Sequence, residues 1–230
     1  MSLTERLPPE GFRQRGPLPT GTRLVLIRHG ECVANLKGLA GGPIGDGGLT
    51  DAGREQARAL AHRVRITQEL AGASAFYTST LPRAVQTGAI VFPAIDESLV
   101  PLQEEDLGEL RVGEADGLPW GEIEERFPLP DWDVDPTQVN VPGGESLVGF
   151  YERCVAVIDR IVARHPKELV VLVVHGGFIE QAMKLYMDSG AGTRLRPRIE
   201  HCSMTEIEFG FEGDRLRLLR YNDLSPIGVE

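Results

Sequence analysis

The sequence predicts an α/β fold, a three-layer α/β/α sandwich around a mostly parallel sheet. Three observations lead there. Two strongly apolar runs, LVLI at 24–27 and LVVLVV at 169–174, do not alternate with polar residues. That is the pattern of strands buried on both faces. Amphipathic stretches of helical period separate them, and strands alternating with helices build parallel sheets covered on both sides. A chain of 230 residues is long enough to bury a sizeable core in one such domain.

Residues 1–21 are rich in Pro, Gly and Arg and carry no apolar stretch, so they read as a flexible arm without a secretory signal. The remainder, 22–230, reads as a single domain. Residues 22–28 form the first strand. Thr50 is placed to cap a helix on which Ala57, Leu60, Ala61 and Val64 share a face, reaching about Leu70. Ala75 to Ser79 is a second short strand. Thr80 and Pro82 open a helix to about Val91, since proline is tolerated in a first turn. Residues 93–142 are irregular and proline-rich, with one short helix at Trp120 to Arg126. A long excursion of this kind suits a lid that sets substrate specificity. Ser146 to Arg164 is a helix with Leu147, Phe150, Val157, Ile158 and Ile161 on its apolar side. Leu169 to Val174 is the most apolar strand, and a helix runs on from Phe178 to about Met187. Cys202 to Phe209 and Arg215 to Tyr221 make a closing hairpin around Glu212, Gly213 and Asp214.

Composition narrows the function. A net charge of −10 argues against nucleic-acid binding. No apolar run approaches the roughly 18 residues that a membrane span needs. Three widely spaced cysteines without a C-x-x-C pair point to free thiols, a cytoplasmic setting and no structural zinc. Between Asp96 and Glu145 there are fifteen acids and only two bases, Arg111 and Arg126. This is either a solvated acidic face or a lid that repels polyanions. GGPIGDGG does not fit a dinucleotide-binding glycine pattern, and there is no P-loop.

Both apolar strands end in His-Gly, as LVLIRHG and LVVLVVHGG. In open α/β sheets ligands bind beyond the carboxyl ends of the strands. If the two strands are neighbours, His29 and His175 face one crevice. The glycines after them let backbone approach a ligand and expose amide donors. Arg28 stands beside His29, and Arg83 lies at another strand-to-helix junction, in YTSTLPRAVQT. Two guanidiniums and two imidazoles suit a tetrahedral dianion such as a phosphoryl group.

Several motifs in order carry a resemblance. RHGECVAN resembles an R-H-G-E/Q-T/S-x-x-N opening, and GGLTDAGREQARALA the L-T-x-x-G-x-x-Q-A helix after it. YTSTLPRAVQT resembles S-x-L-x-R-A-x-Q-T, VPGGESL a P-G-G-E-S element, and VVHGGFI a second-histidine strand. The chain resembles the histidine phosphatase superfamily, also called the phosphoglycerate-mutase-like family, over most of its length.

The resemblance implies that His29 is a nucleophile forming a phosphohistidine that water then hydrolyses. Its second ring nitrogen should donate to a backbone carbonyl and fix the tautomer. Arg28, Arg83 and His175 would hold the phosphoryl oxygens. Asn35 would add a polar contact, and Gly176 a backbone amide. No metal and no other cofactor are implied. The general acid follows from a pattern like E-x-x-x-G-x-x-E-G, which fits in two registers. Glu109 is preferred, because that register also aligns PWGEIEERFP with a following short helix; Glu104 is the fallback. Asp116 stands where glutamate is usual, and Cys32 where Thr or Ser is usual. A thiol donates weakly, so Cys32 reads as a quiet buried thiol. His62 reads as helix surface, His165 as a favourable charge near a helix C-terminus, and His201 matches no catalytic element.

The expected activity is metal-independent hydrolysis of a small phosphorylated metabolite, because an acidic, base-poor lid suits a leaving group that is not strongly anionic. Phosphoglycerate mutase chemistry is the alternative. A catalytically inactive phosphate-binding scaffold is a second, disfavoured by the survival of Arg28, His29, Arg83 and His175. Whether the chain forms a homodimer, as many relatives do through sheet edges, stays open at this point.

Overall fold

The structure is a computed structural model that describes residues 21–128, 131–187, 196–211 and 215–224. The N-terminal arm up to residue 20 and the turn at Glu212, Gly213 and Asp214 lie outside these residues. A six-stranded sheet forms the middle layer. In chain order its strands are β1 (Thr22–Arg28), β2 (Ala73–Thr78), β3 (Leu102–Gln103), β4 (Leu169–Val174), β5 (Met204–Phe211) and β6 (Arg215–Asp223), in the spatial order β3-β2-β4-β1-β5-β6. The first four of that order run parallel, while β5 pairs antiparallel with β1 and with β6.

Alternation along the central strands divides the core in two. Leu24, Leu26, Val170, Leu172 and Val174 face one cluster, with Val157, Ile158 and Ile161 of α5 (Leu147–Arg164) and Phe178 and Ile179 of α6 (Gly176–Tyr186). Val25, Ile27, Val171 and Val173 face the other, with Ala57, Leu60 and Val64 of α2 (Asp51–Thr67) and Ala84 and Val91 of α3 (Pro82–Val91). Successive side chains on a strand point to opposite faces, so a strand apolar at every position needs a helical layer on each side. The three-layer architecture read from the sequence is the one found.

Local chemistry sets the ends of the elements. Thr50 caps α2, its hydroxyl accepting from the Gly53 amide, and Ser146 caps α5 by accepting from Gly149. Helix α2 stops at Thr67, short of the expected Leu70, because Gln68 turns into the left-handed region at φ 55°. Helix α6 starts two residues before the expected Phe178, with His175 as its N-cap. Two poor helix formers, Gly176 and Gly177, fill its first turn. Several small elements escaped the sequence reading: β3, two residues long, α1 (Val33–Lys37), and three single 3-10 turns at Phe92–Ala94, Glu105–Leu107 and Gly113–Ala115. Helix α4 (Trp120–Arg126) is where it was expected.

The segment 93–142, read as irregular, contributes β3 to the sheet and also builds a small apolar cluster. Ala115 and Ile123 pack with Ala40, and Val112, Leu118, Phe127 and Val141 surround them. It is tied down by Asp116, whose carboxylate accepts from the amides of Gly42, Ile44 and Gly45 at 2.8–2.9 Å. Among the described residues no helix is long and apolar enough to cross a membrane.

One backbone crossing fixes where β1 ends. A Cβ built on Gly53 would lie 2.0 Å from the carbonyl oxygen of Glu31, and one built on Gly30 would lie 2.5 Å from that of Gly53. Helix α2 thus enters against the loop that follows His29. Gly53→Ala would gain about 1 kcal/mol in helix propensity, but backbone must move to admit the methyl. We expect a net loss of about 1–3 kcal/mol, read as a lower urea midpoint at unchanged slope. A variant at least as stable as the parent would refute the close crossing.

Candidate active site

The strand ends β1 and β4 are adjacent and in register, with Arg28 opposite Val174. His29 and His175 therefore meet beyond them, their ring centroids 5.1 Å apart. Both are buried. The His29 Nδ1 lies 2.7 Å from the Gly30 carbonyl oxygen, so Nδ1–H donates there and Nε2 carries the lone pair. This is the tautomer expected from the sequence. Burial, reinforced by the Arg83 charge, pushes both imidazoles well below the ordinary value of about 6.5. Both are neutral near pH 7.

Arg83 binds the two histidines together. Its Nε–H donates to His29 Nε2 at 3.1 Å and to His175 Nδ1 at 3.2 Å. His175 Nε2 then turns to the Ser79 hydroxyl, 2.8 Å away. Arg83 is almost fully buried, and so is its counter-ion, Asp46. The Asp46 carboxylate accepts from Arg83 Nη1 at 2.7 Å, from the Arg83 backbone amide at 3.2 Å and from the Gly48 amide at 2.7 Å. Arg83 Nη1 also donates to the Gly41 carbonyl at 2.8 Å. The sequence reading missed Asp46 because it sits in a glycine-rich loop with no periodicity. A lone acid in such a loop, ahead of a helix that presents a buried arginine, was the available signal.

Arg28 reaches the crevice from β1. Its Nη1 donates to the Ile199 carbonyl at 2.6 Å, while Nε is buried without a hydrogen-bond partner among the described residues. A buried N–H without a partner is costly, and an anion would satisfy it. Gly176 packs against this guanidinium, and Gly177 lines the crevice.

Of the two candidate acids, Glu109 reaches the crevice. Its carboxylate accepts from the Gly177 amide at 2.9 Å and from its own neighbour Leu110 at 3.0 Å. A Cβ on Gly177 would lie 2.2 Å from Glu109 Oε1, so the second glycine of His-Gly-Gly makes room for this carboxylate. Arg153 of α5 clamps the segment that carries it, donating to the carbonyls of Asp106, Gly108 and Glu109. Glu104 instead caps a short turn and pairs with Arg160 at 3.1 Å, and it does not line the crevice.

Asn35 lines the crevice too. Its Oδ1 accepts from Cys32 Sγ at 3.0 Å and lies 3.1 Å from His201 Nε2, leaving the amide NH2 to offer a ligand. His201 matched no motif, yet its ring stands 5.7 Å from that of His29. Burial lowers it to about 4, so it too is neutral near pH 7. Burial raises the Cys32 thiol, which keeps it protonated and unreactive. His62 is exposed, and His165 stands at the end of α5 between the Tyr77 hydroxyl and Glu168.

The crevice holds about 570 Å³. At its closed end Arg28, Arg83, the neutral His29 imidazole and the Glu109 carboxylate line a space suited to a phosphoryl group, with His175 held against Arg83. A mostly parallel sheet bearing this set at its strand ends is an arrangement suited to phosphoryl transfer. The histidine phosphatase superfamily (branch 1) profile matches residues 24–224, and the chain belongs to that family. It is 33% identical over 207 residues to phosphoglycerate mutase-like protein 4 of Arabidopsis thaliana, covering 89% of this chain and 86% of the relative. It is 30% identical over 182 residues to a metal-independent phosphoserine phosphatase of the same plant, covering 77% and 74%. A mycobacterial glucosyl-3-phosphoglycerate phosphatase superposes with a TM-score of 0.71 at 28% identity, covering 87% of this chain and 98% of that structure. Three mycobacterial relatives are longer, and the chain spans 53% of their length.

Proposed function

We propose that this protein is a metal-independent phosphomonoester hydrolase that works through a phosphohistidine on His29, with Glu109 as general acid. The observation that carries the reading is the His29 ring: Nδ1 is tied to a carbonyl, and Nε2 points at the guanidinium of Arg83. The substrate class is a small phosphorylated metabolite, in keeping with the relatives named above.

The chemistry runs in two displacements. The Nε2 lone pair attacks phosphorus, and the bond from phosphorus to the ester oxygen breaks on the opposite side. That oxygen takes a proton from Glu109. Attack requires the lone pair that faces Arg83, so the Arg83 Nε–H turns to the phosphoryl oxygens as substrate enters. Arg28 Nε and the Asn35 amide supply further donors, while His175, its Nδ1 accepting from Arg83 and its Nε2 at the Ser79 hydroxyl, helps to hold the Arg83 guanidinium in place. Glu109, now ionised, takes a proton from water, which attacks phosphorus and releases His29.

Hydrolysis fits better than mutase transfer. A mutase must hold a second anionic group, and the two bases of residues 96–145 are committed to acids. Arg111 pairs with Glu105, Asp106 and Glu145, and Arg126 with Glu122. On this reading 22–230 acts as one domain, with 93–142 its substrate-facing lid. Phosphate release from a panel of phosphomonoesters in EDTA tests the proposal. Metal-independent turnover is expected. Turnover abolished by EDTA, or efficient interconversion of 2- and 3-phosphoglycerate in its place, would overturn it.

Glu109→Gln separates the acid from the nucleophile. Esters of poor leaving groups need the proton, and p-nitrophenyl phosphate hardly does. The alkyl ester should slow by about 10²–10⁴-fold, and the nitrophenyl ester by much less. Equal losses on both would remove Glu109 from this role.

A further inference from the structure

We propose that Gln181 reads the alcohol part of the substrate, and that the preferred ester carries an uncharged hydroxyl there beside an apolar face. The proposal rests on the hydrolase reading above and concerns what that site selects.

The argument starts from helical spacing. Gly177 and Gln181 are four residues apart on α6, so they share a face. Both line the crevice. Gly177 holds the Glu109 carboxylate, and Gln181 stands one turn further, about 5.4 Å along the axis. If Glu109 protonates the ester oxygen, the group one turn beyond faces the carbon skeleton of the leaving alcohol.

Gln181 is only 2% exposed, and its Oε1 is buried with no hydrogen-bond partner among the described residues. A buried acceptor left unpaired is rare and costly. An acceptor of this kind that lines a ligand crevice is suited to a donor brought by the ligand. The charges nearby do not ask for a second anion. Glu180 pairs with Lys184 at 2.9 Å and with Arg196 at 3.3 Å, and Arg196 also approaches Asp133 at 3.7 Å. Among the described residues these two acids and two bases pair with one another. The other walls are apolar: Leu110, Leu147, Phe150 and Trp132. The Trp132 indole N–H is spent on the Gln138 carbonyl at 3.0 Å, so its ring offers hydrocarbon surface.

The test compares glycerol phosphate with propyl phosphate, its analogue without the hydroxyls, using p-nitrophenyl phosphate as a reference for hydrolysis. The wild type should favour the hydroxylated ester in kcat/KM by about 10- to 100-fold, the range one hydrogen bond to a buried group supports. In Gln181→Leu that ratio should collapse toward one. Gln181→Glu keeps an acceptor and should retain a preference. An equal ratio in wild type and Gln181→Leu would overturn the proposal, as would no preference in the wild type. A stronger wild-type preference for phosphoethanolamine would replace the hydroxyl by an ammonium and overturn it as well. Failure to hydrolyse even p-nitrophenyl phosphate would strike the hydrolase reading itself, and the inference would fall with it.

Discussion

His29→Ala should abolish turnover, lowering kcat/KM by roughly four orders of magnitude or more, as removal of a covalent nucleophile does. The His29 ring lines the crevice and its Nε2 lone pair is fixed there by the Nδ1 contact to the Gly30 carbonyl. Its closest ring, His175, turns Nε2 to Ser79 and Nδ1 to Arg83. Acid-labile, base-stable label from a phosphoester should appear on the wild type after rapid quenching and be missing from the variant. A second readout is pH. A histidine titrating near 6.5 would lose about 90% of its neutral form by pH 5.5. Because burial and the Arg83 charge hold His29 well below that value, the acid limb set by the imidazole should lie well to the acid side of an ordinary histidine's. Label and turnover surviving in His29→Ala would refute the assignment.

The second large effect is expected at Asp46. Asp46→Ala leaves the Arg83 guanidinium buried without its counter-ion. Breaking a buried pair from one side costs about 3–5 kcal/mol, so thermal unfolding should begin at markedly lower temperature. Activity should suffer separately, because Asp46 sets the direction of the Nε–H shared by the two histidines. A loss of about 10²–10³-fold in kcat is in scale with removing one preorganised donor. Asp46→Asn keeps an acceptor for the Arg83 and Gly48 amides and should recover much of the stability and less of the rate. Asp46 is a positioning residue, and this split between stability and rate distinguishes it from a purely structural one. Full activity in Asp46→Ala would show that Arg83 holds its place without help.

Much of this was legible because chemistry and periodicity coincide at the strand ends. LVLI and LVVLVV could only be central strands, and each hands its chain to His-Gly, so β1, β4 and the two histidines could be placed before any coordinates. Asp46 escaped because its role depends on a partner 37 positions on, and no local pattern links them. Gln181 escaped because a glutamine beside apolar helix positions looks like ordinary surface. Only the fold shows that its oxygen is buried and unpaired. The glutamate-glycine pattern fitted both Glu109 and Glu104, and the register of PWGEIEERFP favoured Glu109; in the fold Glu109 reaches the crevice through the Gly177 amide, whereas Glu104 pairs with Arg160. Asp116, odd as a motif letter, proves to be the tie between its own segment and three loop amides.

Strand β1 lies between β4 and β5, and both of its neighbours come from the last third of the chain. His29 is therefore translated early and its surroundings are completed late. A ribosome-bound fragment that ends before residue 169 carries His29 without its partner histidine or the strand beside it. The contacts that make the site are almost all distant in sequence, and such contacts form slowly. Return of catalysis during refolding should thus coincide with consolidation of the whole sheet and should not precede it. Enzymatic activity in this chain would serve as an end-point clock for folding, silent in every intermediate that lacks the β1–β4 seam.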